Sequence, residues 1–150
     1  MRDQFMSALK DAMKAGDKAR LGAIRLIQAA IKDKDIEARG LGKGQATNDE
    51  ILALLQKMIK QRQESAAIYA ANGRPELAAT EESEIAVISS FLPKQMGEDE
   101  VKAAISTVIA ETGAAGMKDM GKVIAVLKER FAGQMDFGKA SGWVKTALSA

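Results

Sequence analysis

The sequence predicts an all-α protein, on three observations. Apolar residues recur at intervals of three and four along most of the chain, the spacing that lines up one face of a helix. No stretch alternates with period two for long, and Val, Thr and aromatic residues, which favour strands, are sparse. Helix-breaking residues punctuate the apolar stripes at Gly16, at Gly73 with Pro75, at Pro93 with Gly97, and at Gly113 with Gly116. The expected architecture is an N-terminal helical domain of two successive helix pairs over residues 1–95, then a small C-terminal three-helix domain over residues 96–150. A chain of 150 residues can fill one ordinary core or two small ones.

The first helix is expected over about residues 3–15, with Phe5, Leu9 and Met13 on its apolar face. Gly16 and Asp17 interrupt it, and Asp17 can cap the second helix because a short carboxylate reaches the free amides of the next turn. That helix turns Leu21, Ile24, Ile27 and Ile31 inward and ends in a mixed-charge segment, residues 33–39, expected to be a solvated face. Residues 40–47 read Gly-Leu-Gly-Lys-Gly-Gln-Ala-Thr and invite comparison with a phosphate loop. Such a loop needs Lys followed directly by Ser or Thr, after a strand, so that amides and a hydroxyl converge on phosphate and metal. Here Gly44 follows Lys43 and a charged helix precedes, so the segment is expected to be a flexible interhelix loop. Thr47-Asn48-Asp49-Glu50 then forms a capping box that opens a third helix reaching about residue 71.

In the third helix Ile51, Leu55, Met58, Arg62, Ala66 and Tyr69 form one narrow stripe, so a charge sits inside the apolar seam. Asn72-Gly73-Arg74-Pro75 stops the helix, and Pro75 can open the next, where its missing N–H is not needed. The fourth helix places Leu77, Glu81, Glu84, Ile88 and Leu92 on its own stripe. With a tight turn near Gly73, residues equidistant from it face one another, which puts Arg62 near Glu84 and within a turn of Glu81. An unpaired buried charge is strongly destabilising, so Arg62 is expected to form a structural ion pair with Glu84, Glu81 or both. The competing reading makes Glu81 and Glu84 an acid–base pair or a magnesium site, and an Arg in the seam argues against it.

Residues 93–97 read as a linker. A fifth helix over residues 98–112 starts with acids at its positive dipole end and buries Val101, Ala104, Ile105, Val108 and Ile109. After a turn at residues 113–116, a sixth helix sends Met117, Met120, Ile124, Leu127 and Phe131 inward, with Lys118 and Lys122 on its opposite face. Gly133 is the expected C-cap, residues 136–138 a turn, and a last helix carries Ala140, Trp143, Val144, Ala147 and Leu148 inward.

The chain has no cysteine and no histidine. Disulfides, thiolate or imidazole metal sites, Cys-His and Ser-His catalysis and the ordinary neutral-pH proton shuttle are therefore excluded. No metal or cofactor is expected. Aromatic residues make up 4% of the chain, too few for the stacking platforms that read single-stranded RNA. The net charge of +2 conceals an uneven distribution. Residues 1–62 carry 13 Lys and Arg against 8 Asp and Glu, residues 63–116 carry 3 against 9, and residues 117–150 carry 6 against 3, so both ends are basic and the middle acidic. The longest apolar run, residues 66–71, is far short of a bilayer span, and residues 1–15 lack the apolar core of an export signal. A cytoplasmic location without membrane contact is the expectation.

Several phrases together resemble the YqeY family, in order and across essentially the whole chain. They are Ala12-Met13-Lys14-Ala15 with residues 21–32, Gln61-Arg62-Gln63-Glu64-Ser65, Gly73-Arg74, Glu81 with Glu84, Phe91-Leu92-Pro93, and Asp119-Met120-Gly121-Lys122-Val123. The resemblance implies an all-helical protein with an N-terminal domain and a smaller C-terminal one. It also implies that the C-terminal part is similar to the tail of the B subunit of bacterial tRNA-dependent amidotransferase, which contacts tRNA. Two departures stand out. Ile124 occupies a position where the family often has Met, a volume-conserving change. The chain reads Gly133-Gln134 and Asp136-Phe137-Gly138 where the family often has Gly-Arg and then Asp-Gly, which removes one candidate phosphate contact.

The family is catalogued with carbon–nitrogen ligases that use glutamine as amide donor, yet no catalytic constellation is visible in these residues. Glutamine hydrolysis needs a Cys-His pair or a Ser-Ser-Lys arrangement in a Gly/Ser-rich loop, and Ser89-Ser90 stand at a helix end without one. The expected function is a noncatalytic module that contacts tRNA, aminoacyl-tRNA or another structured RNA through Lys118, Lys122, Lys128, Arg130, Lys139 and Lys145. The first alternative is an accessory component of a carbon–nitrogen ligase acting on misacylated tRNA, in company with amidotransferase or synthetase subunits. The second is a helical protein-interaction adaptor.

Overall fold

The computed structural model describes residues 1–149, and no strand occurs among them. Seven α-helices follow in order: α1 Arg2–Ala15, α2 Lys18–Gly40, α3 Asn48–Ala71, α4 Pro75–Ser89, α5 Glu98–Thr112, α6 Met120–Phe131 and α7 Phe137–Ser149, with a 3-10 turn at Met117–Asp119 before α6. The chain divides into two compact units, Met1–Leu92 and Pro93–Ala150.

In the first unit α1 packs on α2, α3 lies along α4, and α2 also packs on α4. Local chemistry sets the helix ends. Gly16 adopts φ 68, the left-handed conformation that ends α1, and the Asp17 carboxylate then accepts the Arg20 N–H to start α2. Thr47 and Glu50 form the reciprocal capping box of α3, and Pro75 occupies the first turn of α4. Phe5, Ile27, Ile31, Ala46, Ile51, Leu55, Met58 and Ile88 make the core. Phe91 closes it at one edge, 4.8 Å from Phe5 between ring centroids, with the Arg20 guanidinium over the Phe91 ring at 5.7 Å.

Four expectations in this unit are corrected. Ala12 is buried while Met13 is 57% exposed, because the core-facing line of α1 runs one residue earlier than the large side chains suggest. The buried residue beside the α3–α4 turn is Ala78, leaving Leu77 largely in solvent, since helices joined by a tight turn have room there for a methyl group. Helix α4 stops at Ser89, so Leu92 packs from the segment beyond it. Residues 33–39 are not a wholly solvated face: Ala38 is buried and Asp35 is half-buried in a polar cluster.

The second unit packs α5, α6 and α7 against one another around Val101, Ile105, Val108, Val123, Leu127, Met135, Ala140 and Val144. Residues 93–97 are tied to this unit, with the Met96 N–H donating to the Gln134 carbonyl at 2.8 Å and the Gln95 amide donating to the Gly133 carbonyl at 2.6 Å. Met117 is 44% exposed, and Val123 takes the fully buried position the apolar spacing missed. The reason is the 3-10 turn. Its three residues per turn put Met117 out of phase with the helical face that begins at Met120. Asp136 does not end in a free turn but caps α7, its carboxylate accepting the Gly138 and Lys139 N–H groups. Ala147, expected inward, is exposed.

Candidate nucleic-acid interface

The six cations expected to meet RNA all lie on the surface of the second unit. Lys118 belongs to the 3-10 turn and Lys122 to the first turn of α6, while Lys128 and Arg130 stand in its last turn. Lys139 is in the first turn of α7 and Lys145 near its end. The short connection from α6 to α7, and the Ser149 hydroxyl 3.5 Å from the Met117 sulfur, make the two helices an antiparallel pair. Lys118, Lys122 and Lys145 therefore gather at one end of the pair. Lys128, Arg130 and Lys139 gather at the other.

Within each helix the cations flank the core rather than sharing a face. At about 100° per residue, Lys122 and Lys128 stand on opposite sides of the buried Val123–Leu127 line of α6. Lys139 and Lys145 are placed likewise about the Ala140–Val144 line of α7. Arg130 is paired with Glu111 at 2.6 Å, a carboxylate that competes with an incoming phosphate. The other five form no ion pair among the described residues. Lys102, outside the expected set, is held over the Trp143 ring at 5.4 Å and bonded to Glu98 at 3.3 Å.

The acidic positions of the first unit resolve differently. Arg62 Nε donates to Glu84 Oε2 at 2.7 Å, and its Nη1 donates to the Met58 carbonyl at 3.2 Å. Their side chains keep 16% and 24% of their exposure, so the pair sits mostly out of water. Glu81, half-buried, stands one turn away. No group of three or more acids among the described residues is arranged to hold a metal ion.

A second polar cluster was not anticipated. Arg2 grips both carboxylate oxygens of Asp35, at 2.7 and 2.8 Å, and also donates to the Ala46 carbonyl at 3.0 Å. The Ala46 N–H returns a bond to Asp35 at 2.9 Å, which locks the glycine-rich loop onto α1 and α2. The Arg2 guanidinium, with help from that N–H, holds the Asp35 carboxyl at about 2, well below its usual 3.8. A signal existed in the sequence, because Asp35 continues the four-residue line of Ile27 and Ile31. Its partner lies 33 residues away, a distance no local pattern reports. An open cleft of about 200 Å³ borders this cluster, lined by Arg2, Phe5, Met6, Gln28, Ile31, Lys32 and Asp35.

No helix among the described residues is long and apolar enough to cross a membrane. Curated relatives carry the name Altered inheritance of mitochondria protein 41, mitochondrial. The one from Lachancea thermotolerans is 36% identical over 106 residues, covering 69% of this chain and 54% of the relative. Its counterpart from Vanderwaltozyma polyspora is 29% identical over 119 residues, covering 75% and 62%. That from Saccharomyces cerevisiae strain YJM789 is 34% identical over 84 residues, covering 56% and 44%. The chain thus spans about half the length of the curated relatives it matches. Their mitochondrial names do not fit the plain cytoplasmic expectation well. The family described as Yqey-like protein matches residues 2–148, and the chain belongs to this YqeY family.

Proposed function

We propose that the chain is a noncatalytic module that contacts tRNA or another structured RNA through the cations of its second unit. The observation that carries this reading is the exposed trio Lys118, Lys122 and Lys145 at one end of the α6–α7 pair, none of them ion-paired among the described residues. Three free ammonium groups on one end of a rigid helix pair suit phosphate oxygens, and phosphate contacts fix position without reading sequence. The scarcity of aromatic side chains makes recognition electrostatic and shape-led.

Changing Lys118 and Lys122 together to Glu leaves the core untouched, because both side chains are exposed. Affinity for folded tRNA is expected to fall at least about tenfold, and the salt dependence to lose about two phosphate contacts. Gel-shift titrations of both proteins at two salt concentrations check this. Equal affinities, or no binding by the unaltered chain at low salt, would overturn the reading in favour of a protein-interaction adaptor.

A further inference from the structure

Helix α2 carries four cations at strict seven-residue spacing: Lys18, Arg25, Lys32 and Arg39. Seven residues are nearly two full turns, so the four side chains form one line that drifts only about 20° per step. All four are exposed, and so are the residues that fall between them on the same line, Gly22, Ala29 and Ile36. The line runs about 32 Å, with a positive charge about every 10 Å.

The acids of α2 offset this line little, Asp35 acting on Arg39 from one turn away without forming an ion pair with it. Asp35 is committed to Arg2 and the Ala46 N–H, Glu37 bonds Lys34 at 3.5 Å, and Asp33 stands about 60° around the helix from Ile36. None of the four cations forms an ion pair among the described residues. The opposite face of α2, with Ala23, Ile24, Ile27 and Ile31, is buried, so packing fixes the line outward.

We infer that this ridge on α2 is a second binding surface, one that lies against the phosphate backbone of a double-helical segment of RNA. The inference rests on the reading that the partner is a structured RNA, and it places a main contact in the first unit. Charge complementarity carries it. A duplex presents about one charge per 1.7 Å of axis, so each cation of a 32 Å rod finds a phosphate within reach. The line bears no aromatic side chain to stack a base, which leaves backbone contact and no sequence preference. A lipid surface fits less well. Interfacial helices bury an apolar face in the bilayer, and the apolar face of α2 is already spent on the protein core, leaving Ile36 alone on the outward line.

The test uses the full chain and an RNA hairpin with a stem of about 16 base pairs. One variant changes Lys18, Arg25, Lys32 and Arg39 to Gln. A charge-matched control changes the exposed Lys10, Lys43, Lys57 and Lys94 to Gln. Helical circular dichroism establishes that each is folded, and an Arg25→Gln, Lys32→Gln pair serves if the fourfold variant is not. The stripe variant is expected to bind at least about tenfold more weakly, with the slope of log affinity against log salt reduced by about three. The control should lose far less. Equal losses in stripe variant and control, or an unchanged stripe variant, overturn the inference, as does stripe-dependent binding to anionic vesicles without binding to the hairpin. The Lys118→Glu, Lys122→Glu protein, run in parallel, separates the two readings. Loss there with an intact stripe variant leaves the second-unit interface alone standing, whereas the reverse result moves the RNA contact to α2.

Discussion

In the first unit, beside the local pair Lys34–Glu37, two ion pairs join segments distant in sequence and are partly buried: Arg2 with Asp35 and Arg62 with Glu84. In the second unit the pairs Lys102–Glu98 and Arg130–Glu111 have side chains about half exposed, and the core is apolar throughout. Each of the two long-range pairs has one partner on a long helix, Asp35 on α2 and Arg62 on α3. Helices α2 and α3 run 23 and 24 residues, whereas α5, α6 and α7 run 15, 12 and 13. Long helices with repeating apolar lines can slide past one another at modest cost. A guanidinium in the seam is satisfied in one register only, so it fixes the alignment that apolar contact leaves loose. Short helices meeting at a closed three-way core have no such freedom, and shape alone suffices.

The largest expected effect probes the second unit. Leu127 is fully buried, and Leu127→Ala should cost about 3 kcal/mol, a large share of what so small a unit can hold. Urea denaturation followed by circular dichroism should show an early transition for α5–α7 and a later one for the first unit. A single undivided shift of the whole curve would mean the two units do not unfold separately.

Next in size is Arg62→Met, which leaves the Glu84 carboxylate without its partner in a mostly buried seam and should cost about 2 kcal/mol. Adding Glu84→Leu should recover part of that loss, because two apolar groups replace the pair. No recovery in the double variant would show that Arg62 acts through its bond to the Met58 carbonyl and its packing instead.

The smallest effect is a pH dependence. The Asp35 carboxyl is held at about 2 against an ordinary 3.8, so its contribution is present above about pH 4 and is lost as the pH falls from 4 toward 2. Asp35→Asn should melt below the unaltered protein at neutral pH, and the difference should shrink across that acid range. Melting temperatures at four or five pH values decide it. A difference that stays constant down to pH 2 would place the stability in the shape of the cluster rather than in its charge.

The α5 helix shows how much a sequence can carry. Its bounds, its acidic start and its inward residues follow from local rules, because the acids before Val101 and the glycine after Thr112 act within one turn of their own backbone. The start of α6 was harder, since a 3-10 turn changes the angular step without changing composition. The candidate interface was legible only as residue types. Lysines at 118, 122, 139 and 145 promise a basic surface, but their gathering at one end or the other follows from the antiparallel course of α6 and α7.

By itself, then, the chain determined its helices, the turns at Gly16, Gly73 and Gly113, the all-α class and the family, since each depends on contacts within a few residues or on order along the chain. The tertiary structure alone decided that Ala12 and not Met13 faces the core, that Arg2 reaches Asp35 and the Ala46 loop, and that residues 93–97 are tied to Gly133 and Gln134. Those outcomes turn on which distant groups compete for one buried position or one free carbonyl. That competition is settled in space, by room for a side chain and by the cost of leaving a polar group unpaired.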